Sequence, residues 1–150
     1  MKTTVLFTQL LNIQTPFQVD SVIYKDENLL GSVKKSVHIH ISVDTNPFYR
    51  PSESTIKDYE ERTWRHLNLF QYPCYIHCSL PKYKDKVTGK TKTLAAPWAN
   101  PRSGFTLLFE EFALELVKIY GCVAEVSRQL DIYPQRLWRI IEEHGKEISS

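Results

Sequence analysis

The chain has 150 residues and holds few of the residues that impose covalent or membrane constraints: three cysteines, five glycines and one methionine. An odd, small cysteine count builds no disulfide framework, and a reducing cytoplasm fits it best. No apolar run approaches the about 20 residues that a membrane-spanning helix needs, so no span is expected. The opening MKTTVLFTQLL has one lysine and an apolar patch broken by Thr8 and Gln9. No small-residue cleavage site follows, and a secretory signal is not expected. Acid is scarce in one place. Residues 62–100 carry seven basic residues and one acidic, whereas 1–61 and 101–150 each carry six basic and eight acidic. The net charge of +2 therefore hides a basic middle. Concentrated positive charge suits a polyanion, although a solvated lysine-rich loop has the same composition.

What is present divides into a β-rich part and a helical part. In residues 1–13, Leu6, Leu10 and Ile13 have helical spacing, while Thr3, Thr4 and Val5 suit a strand equally. A strand is expected over 17–24, with a turn at Lys25-Asp26-Glu27-Asn28. A clearer strand covers 33–43, where Val37, Ile39, Ile41 and Val43 alternate with His38, His40 and Ser42. His38 and His40 then share a face. A metal site is one reading, and the wet face of a half-buried strand with no third ligand nearby is the favoured one. Residues 46–55, with Pro47 and Pro51, read as a loop. In YPCYIHCSLPKY, Cys74, Ile76, Cys78 and Leu80 point one way and Tyr75, His77 and Ser79 the other. That alternation separates His77 from Cys74 and Cys78, so with His66 they are not expected to converge on zinc. Buried thiols acting as small hydrophobes are expected instead, at Cys122 as well. Lys82, Lys84, Lys86, Lys90 and Lys92 follow as a cationic hairpin or loop suited to phosphate contact, flanked by Tyr75, Tyr83 and Trp98. PWANP, residues 97–101, is a stiff connector and the expected domain boundary.

Past it, Ser103 is the expected N-cap of a helix over about 104–120. Its acids Glu110, Glu111 and Glu115 read as a solvated face. Its apolar arc is wide enough to pack on both the following helices and the β part. Gly121 should end it. A second helix over 123–130 buries Val123, Val126 and Leu130, and Ser127 lets the next helix cross closely. Asp131 takes the turn position that tolerates positive φ, Ile132 plugs the turn, and Pro134 opens a third helix to about 144. That helix buries Leu137, Ile140, Ile141 and His144. It frees Gln135, Arg136, Arg139, Glu142 and Glu143, with Trp138 at the margin either packing or touching a base. Gln and Arg early in the second helix of a helix-turn-helix are suited to base-edge and phosphate contact. Any small three-helix motif shares the pattern.

Three segments, TWRHLNLFQYPCYIH, PWANPRSGFTLLFEEFALEL and LWRII, make residues 33–145 resemble the N-terminal half of bacterial insertion-sequence transposases of the ISL-three type, ISAon-like branch. The resemblance implies a small zinc-binding β module, then a helix-turn-helix that recognises the terminal inverted repeats of the element, then a DDE catalytic domain. This chain departs from the pattern. Where the family places its Cys and Cys/His pairs, the sequence reads PFYRPSEST and YKDKVTGKT. A metal-free module held by its apolar core is therefore expected. No DDE constellation is present, so no catalysis is expected from these residues.

The expected architecture is α+β: a zinc-finger-like β module without zinc ligands over 1–100, then a three-helix helix-turn-helix over 101–150. The expected DNA contacts are Gln135, Arg136, Trp138 and Arg139, with Arg128 on the preceding helix. Arg62, Arg65 and the lysines Lys82, Lys84, Lys86, Lys90 and Lys92 should hold the backbone. The expected partners are double-stranded DNA, a catalytic DDE chain and a second copy, at the nucleoid in the cytoplasm. No cofactor is expected. The alternatives are a module that docks on the catalytic subunit and a regulator that represses transposition.

Overall fold

A computed structural model describes residues 2–29, 31–45, 54–69, 71–85 and 88–148. The elements run α1 (Thr3–Leu10), β1 (Phe17–Leu29), β2 (Ser32–Val43), β3 (Ser54–Leu69), β4 (Tyr72–Asp85), β5 (Thr91–Thr93), α2 (Leu107–Tyr120), α3 (Val123–Leu130) and α4 (Pro134–Ile148). The fold is α+β, a sheet followed by helices. Among the described residues no helix is long and apolar enough to cross a membrane.

The sheet has the order β1-β2-β4-β3, with β5 paired to β4. β1–β2 and β3–β4 are antiparallel and β2–β4 is parallel. The alternation read in the sequence holds. Val37, Ile39 and Ile41 of β2 and Cys74, Ile76, Cys78 and Leu80 of β4 are buried on one face, with Trp64, Phe17, Val19 and Phe7 of α1. Trp98, from the connector after β5, meets Phe17 and Trp64 edge-on at 5.0 and 5.3 Å between ring centroids. Burial pushes the Cys74 thiol up to about 11, against an opposing pull from Arg65. It pushes Cys78 up to about 12, with Asp20 adding to it. Both behave as apolar filling. Cys122, expected in a core, is instead exposed.

Two further expectations change. The turn placed at residues 25–28 is strand: β1 continues to Leu29, and Gly31 provides the positive φ of 87° after it. The register sets Asp26 opposite Lys35, and opposite charges across a ladder support pairing where the sequence looks polar. The loop expected over 46–55 lies mostly outside the described residues, and Thr55 already belongs to β3. The charged stretch 57–62 runs within β3, an edge strand on the β1-β2-β4-β3 path, where charge is tolerated.

The helices enclose a second core of Phe105, Phe109, Ala113, Val126, Leu130, Ile132, Leu137 and Ile140. α2 starts later than expected. Its cap is Thr106, whose hydroxyl oxygen accepts from the Phe109 N–H, and not Ser103. Gly104 to Thr106 are held extended against β3, the Arg65 N–H donating to Gly104 O at 2.8 Å and the Thr106 N–H to Arg65 O at 2.9 Å, so helix cannot begin before Leu107. Gly121 ends α2 at φ 64°, its N–H donating to Val117 O. Gly121→Ala should therefore cost about 1 kcal/mol of unfolding free energy, readable in urea titration, because a side chain is strained at that φ. α3 matches its expected bounds, and Asp131 adopts φ 56°, ψ 43°. Ile132 is buried in the turn and its N–H donates to Ser127 O.

The wide apolar arc of α2 is only partly used. α2 contacts β3, α3 and α4, but Leu108, Phe112 and Ile119 stay exposed, the last by 71%. Its acids are not one solvated face either. Glu111 and Glu115 are exposed, whereas Glu110 is 3% exposed. Ser103 donates to one Glu110 oxygen at 2.6 Å, and the His144 Nε2 lies 2.9 Å from the other.

Candidate nucleic-acid interface

The helices are fixed to the sheet by three consecutive features of β3. Arg62 donates to the carbonyls of Pro101 and Ser103, at 3.1 and 3.0 Å, and its guanidinium stands over the Trp64 ring. Arg65, 3% exposed, donates to Asn68 Oδ1 and His66 O and lies between the rings of Tyr75 and Phe109, at 5.7 and 5.1 Å. His66 Nδ1 is 2.7 Å from the Thr106 hydroxyl, and burial lowers its pKa from 6.5 to about 4. Arg62 and Arg65, expected at DNA phosphates, both make bonds within the protein, Arg65 buried and Arg62 half-exposed. Their guanidinium groups are engaged by carbonyls and rings, because β3 carries the connector along its edge.

Contact continues outward from Arg65. Phe109 stacks on Phe105 at 4.8 Å and 7° between planes, and the Arg136 guanidinium lies over Phe105 at 4.2 Å. Gly104 leaves room for it, since a Cβ there would come within 3.1 Å of Arg136 Nη2. Burial lowers the Arg136 pKa and Arg139 adds to this, with Tyr75 opposing. The guanidinium remains charged at any ordinary pH.

On α4 the expected division holds. Leu137, Ile140, Ile141 and His144 face inward, while Gln135, Trp138, Arg139, Glu142 and Glu143 are exposed. Trp138 is 52% exposed, so half of its surface is free. Arg128 is exposed on α3 and its guanidinium pairs with Glu125, which Gln129 also bonds, so its charge is locally balanced. The lysine cluster is not beside these helices. Lys82 and Lys84 lie in β4, opposite Thr93 and Thr91, and Lys92 is opposite Tyr83. Along β4, Lys82 is seven residues beyond Tyr75, about 23 Å away at strand rise. Lys84, Lys90 and Lys92 are exposed and Lys82 is half-buried. Lys86 lies outside the described residues. Sequence reasoning passed over Arg102 and Gly104. Their signal was the PRSG run between connector and helix, which brings an arginine and a side-chain-free position next to α4.

The other sheet face carries His38, His40 and His77. The expected wet face is partly corrected, because His38 is buried, and the parallel register of β2 and β4 brings His77 opposite His40. His38 Nδ1 and His77 Nε2 are 2.6 Å apart, with Ser36 at 2.8 Å from His38 Nε2 and Thr63 at 2.8 Å from His77 Nδ1. Ser36 donates to Lys25 O. Its oxygen therefore accepts from His38 Nε2–H, His38 Nδ1 accepts from His77 Nε2–H, and Thr63 donates to His77 Nδ1. Both rings are satisfied as neutral tautomers. Burial first, then His38, His40 and Lys25, lower the His77 pKa to about 4. Among the described residues no group of three or more His, Cys, Asp or Glu side chains is placed to hold a metal ion.

Residues 94–145 match the family model for the helix-turn-helix domain of transposase family ISL3. No curated protein and no solved structure matches the chain. The matched segment begins just after β5 and takes in the connector, α2, α3 and most of α4. Over this segment the chain is similar to the helix-turn-helix domain of ISL3-family transposases, a module type that binds DNA.

Proposed function

We propose that the chain is the DNA-binding N-terminal part of an insertion-sequence transposase, which recognises the terminal inverted repeats of its element while a separate DDE domain or chain performs the chemistry. In this reading residues 1–100 and 101–150 are two domains. The sheet stands in the place of the family's zinc module and is held by its apolar core. The protein works at the chromosome, in the nucleoid, and α4 enters the major groove. The observation that carries the reading is the pair α3–α4 around Asp131, with Gln135, Trp138 and Arg139 exposed on the early turns of α4. Gln135 suits adenine and Arg139 suits guanine or phosphate. The lysine hairpin, at the far end of the sheet, is a second phosphate-binding patch for a duplex that extends well past the helices.

Fluorescence anisotropy with a duplex of the terminal repeat tests this. Gln135→Ala and Arg139→Ala should each cost about 1–3 kcal/mol of binding, about 5- to 150-fold, with unchanged helical circular dichroism. Affinity equal to wild type in the double variant would remove α4 as the reading element. A second reading has one observation in its favour. The exposed Leu108, Phe112 and Ile119 of α2 would serve a module that docks on the catalytic subunit or on a second copy. Light scattering with and without the catalytic chain separates the two.

A further inference from the structure

Between the connector that leaves the sheet and the first turns of α4 lies a cleft of about 370 Å³, walled by Asn100, Arg102, Ser103, Arg136, Arg139 and His144. Three arginines line one small space. Among the described residues none of the three makes an ion pair with a carboxylate. Like charges gathered this way repel and are stabilised by an anion between them. Two acids also border the cleft, Glu110 and Glu143. Glu110 is already engaged by Ser103 and His144, and with Glu143 counted the lining still holds three arginines against two carboxylates. Arg136 is seated by Phe105 beneath it and Gly104 beside it. Arg102 is exposed on the connector, outside every helix. A guanidinium presents paired N–H donors that match the oxygens of a phosphate.

We propose that this cleft binds a phosphate group, and that its occupant is a backbone phosphodiester of the duplex whose bases α4 meets. The inference rests on the DNA-binding reading above and adds to it a contact from Arg102, a residue outside the two helices of the motif. The cleft opens beside the exposed early turns of α4, so one duplex reaches both.

The test uses the full chain and a random-sequence duplex of about 20 base pairs, since phosphate contact needs no particular sequence. Binding is measured across salt for wild type, Arg102→Gln and Arg139→Gln. Arg102→Gln should weaken binding several-fold and reduce the slope of log K against log salt by about 0.9, the share of one phosphate contact. Its melting temperature should match wild type, because the side chain is exposed. A slope and affinity equal to wild type for Arg102→Gln, with Arg139→Gln weakened, would overturn the cleft and leave the DNA reading standing. A wild-type chain that binds neither this duplex nor one of the terminal repeat would remove the DNA reading and with it the phosphodiester occupant. Pyrophosphate titration then decides whether the cleft takes phosphate from another source. Thermal stabilisation of wild type, absent in the Arg102→Gln, Arg139→Gln double variant, supports it, and no stabilisation overturns it.

Discussion

Arg65→Ala is expected to lower the unfolding free energy by about 3 kcal/mol, the scale of a large buried side chain removed without repacking. Arg65 is buried, and its guanidinium bridges the histidine-bearing face of the sheet, at Tyr75, to the helical core, at Phe109. Removing it empties that junction and leaves Asn68 Oδ1 and His66 O without the donor they have now. Each cation–π contact adds on the order of 1 kcal/mol when desolvated. Arg65→Met should recover part of the loss by filling the space without the charge, so urea titration of both variants separates packing from cation. A phosphate-binding Arg65 would give the opposite pattern, unchanged stability with weaker DNA binding. That pattern would overturn the placement of Arg65 inside the junction.

Acidification is expected to destabilise the fold between pH 6.5 and 4. His66 and His77 have folded pKa values of about 4, below the ordinary 6.5. Across that window the unfolded chain binds protons that the folded chain refuses, so stability is fully present above 6.5 and falls as pH drops towards 4. For His66, largely buried, the loss across the window is on the order of 3 kcal/mol. His77 is half-exposed, and solvent screening makes its share smaller. Urea midpoints at pH 7.5, 5.5 and 4.5 measure the sum, and His66→Gln should flatten the curve. An unchanged pH dependence in that variant would show that burial of His66 does not set it.

The helical end of the chain was legible because its signals are local. Gly121 and Asp131 mark positive φ, Pro134 opens a helix, and the period of Leu137, Ile140 and Ile141 states which side faces in. These constraints act within a few residues of one another. The alternation in β2 and β4 was legible for the same reason. The start of α2 was not, because Ser103 looks like a cap until Gly104 to Thr106 are drawn into pairing with β3. Nor was the length of β1, since charge pairing across a hairpin overrides a polar, turn-like composition.

The identity of the site's arginines was open in the sequence, and their roles were not. Arg62, Arg65, Arg102, Arg128, Arg136 and Arg139 are equivalent cations in composition. Tertiary structure placed Arg65 between two rings, tied Arg62 to two carbonyls, balanced Arg128 with Glu125, and left Arg102, Arg136 and Arg139 around one cleft. It also set Lys82 about 23 Å along β4 from Tyr75, the residue that meets Arg65. The sequence by itself determined the bounds of α3, the start of α4 and the inward face of each, because helix period, caps and turn residues are properties of neighbouring positions. Only the tertiary structure decided which charges remain for a partner, because that depends on what the sheet brings against each guanidinium across long separations.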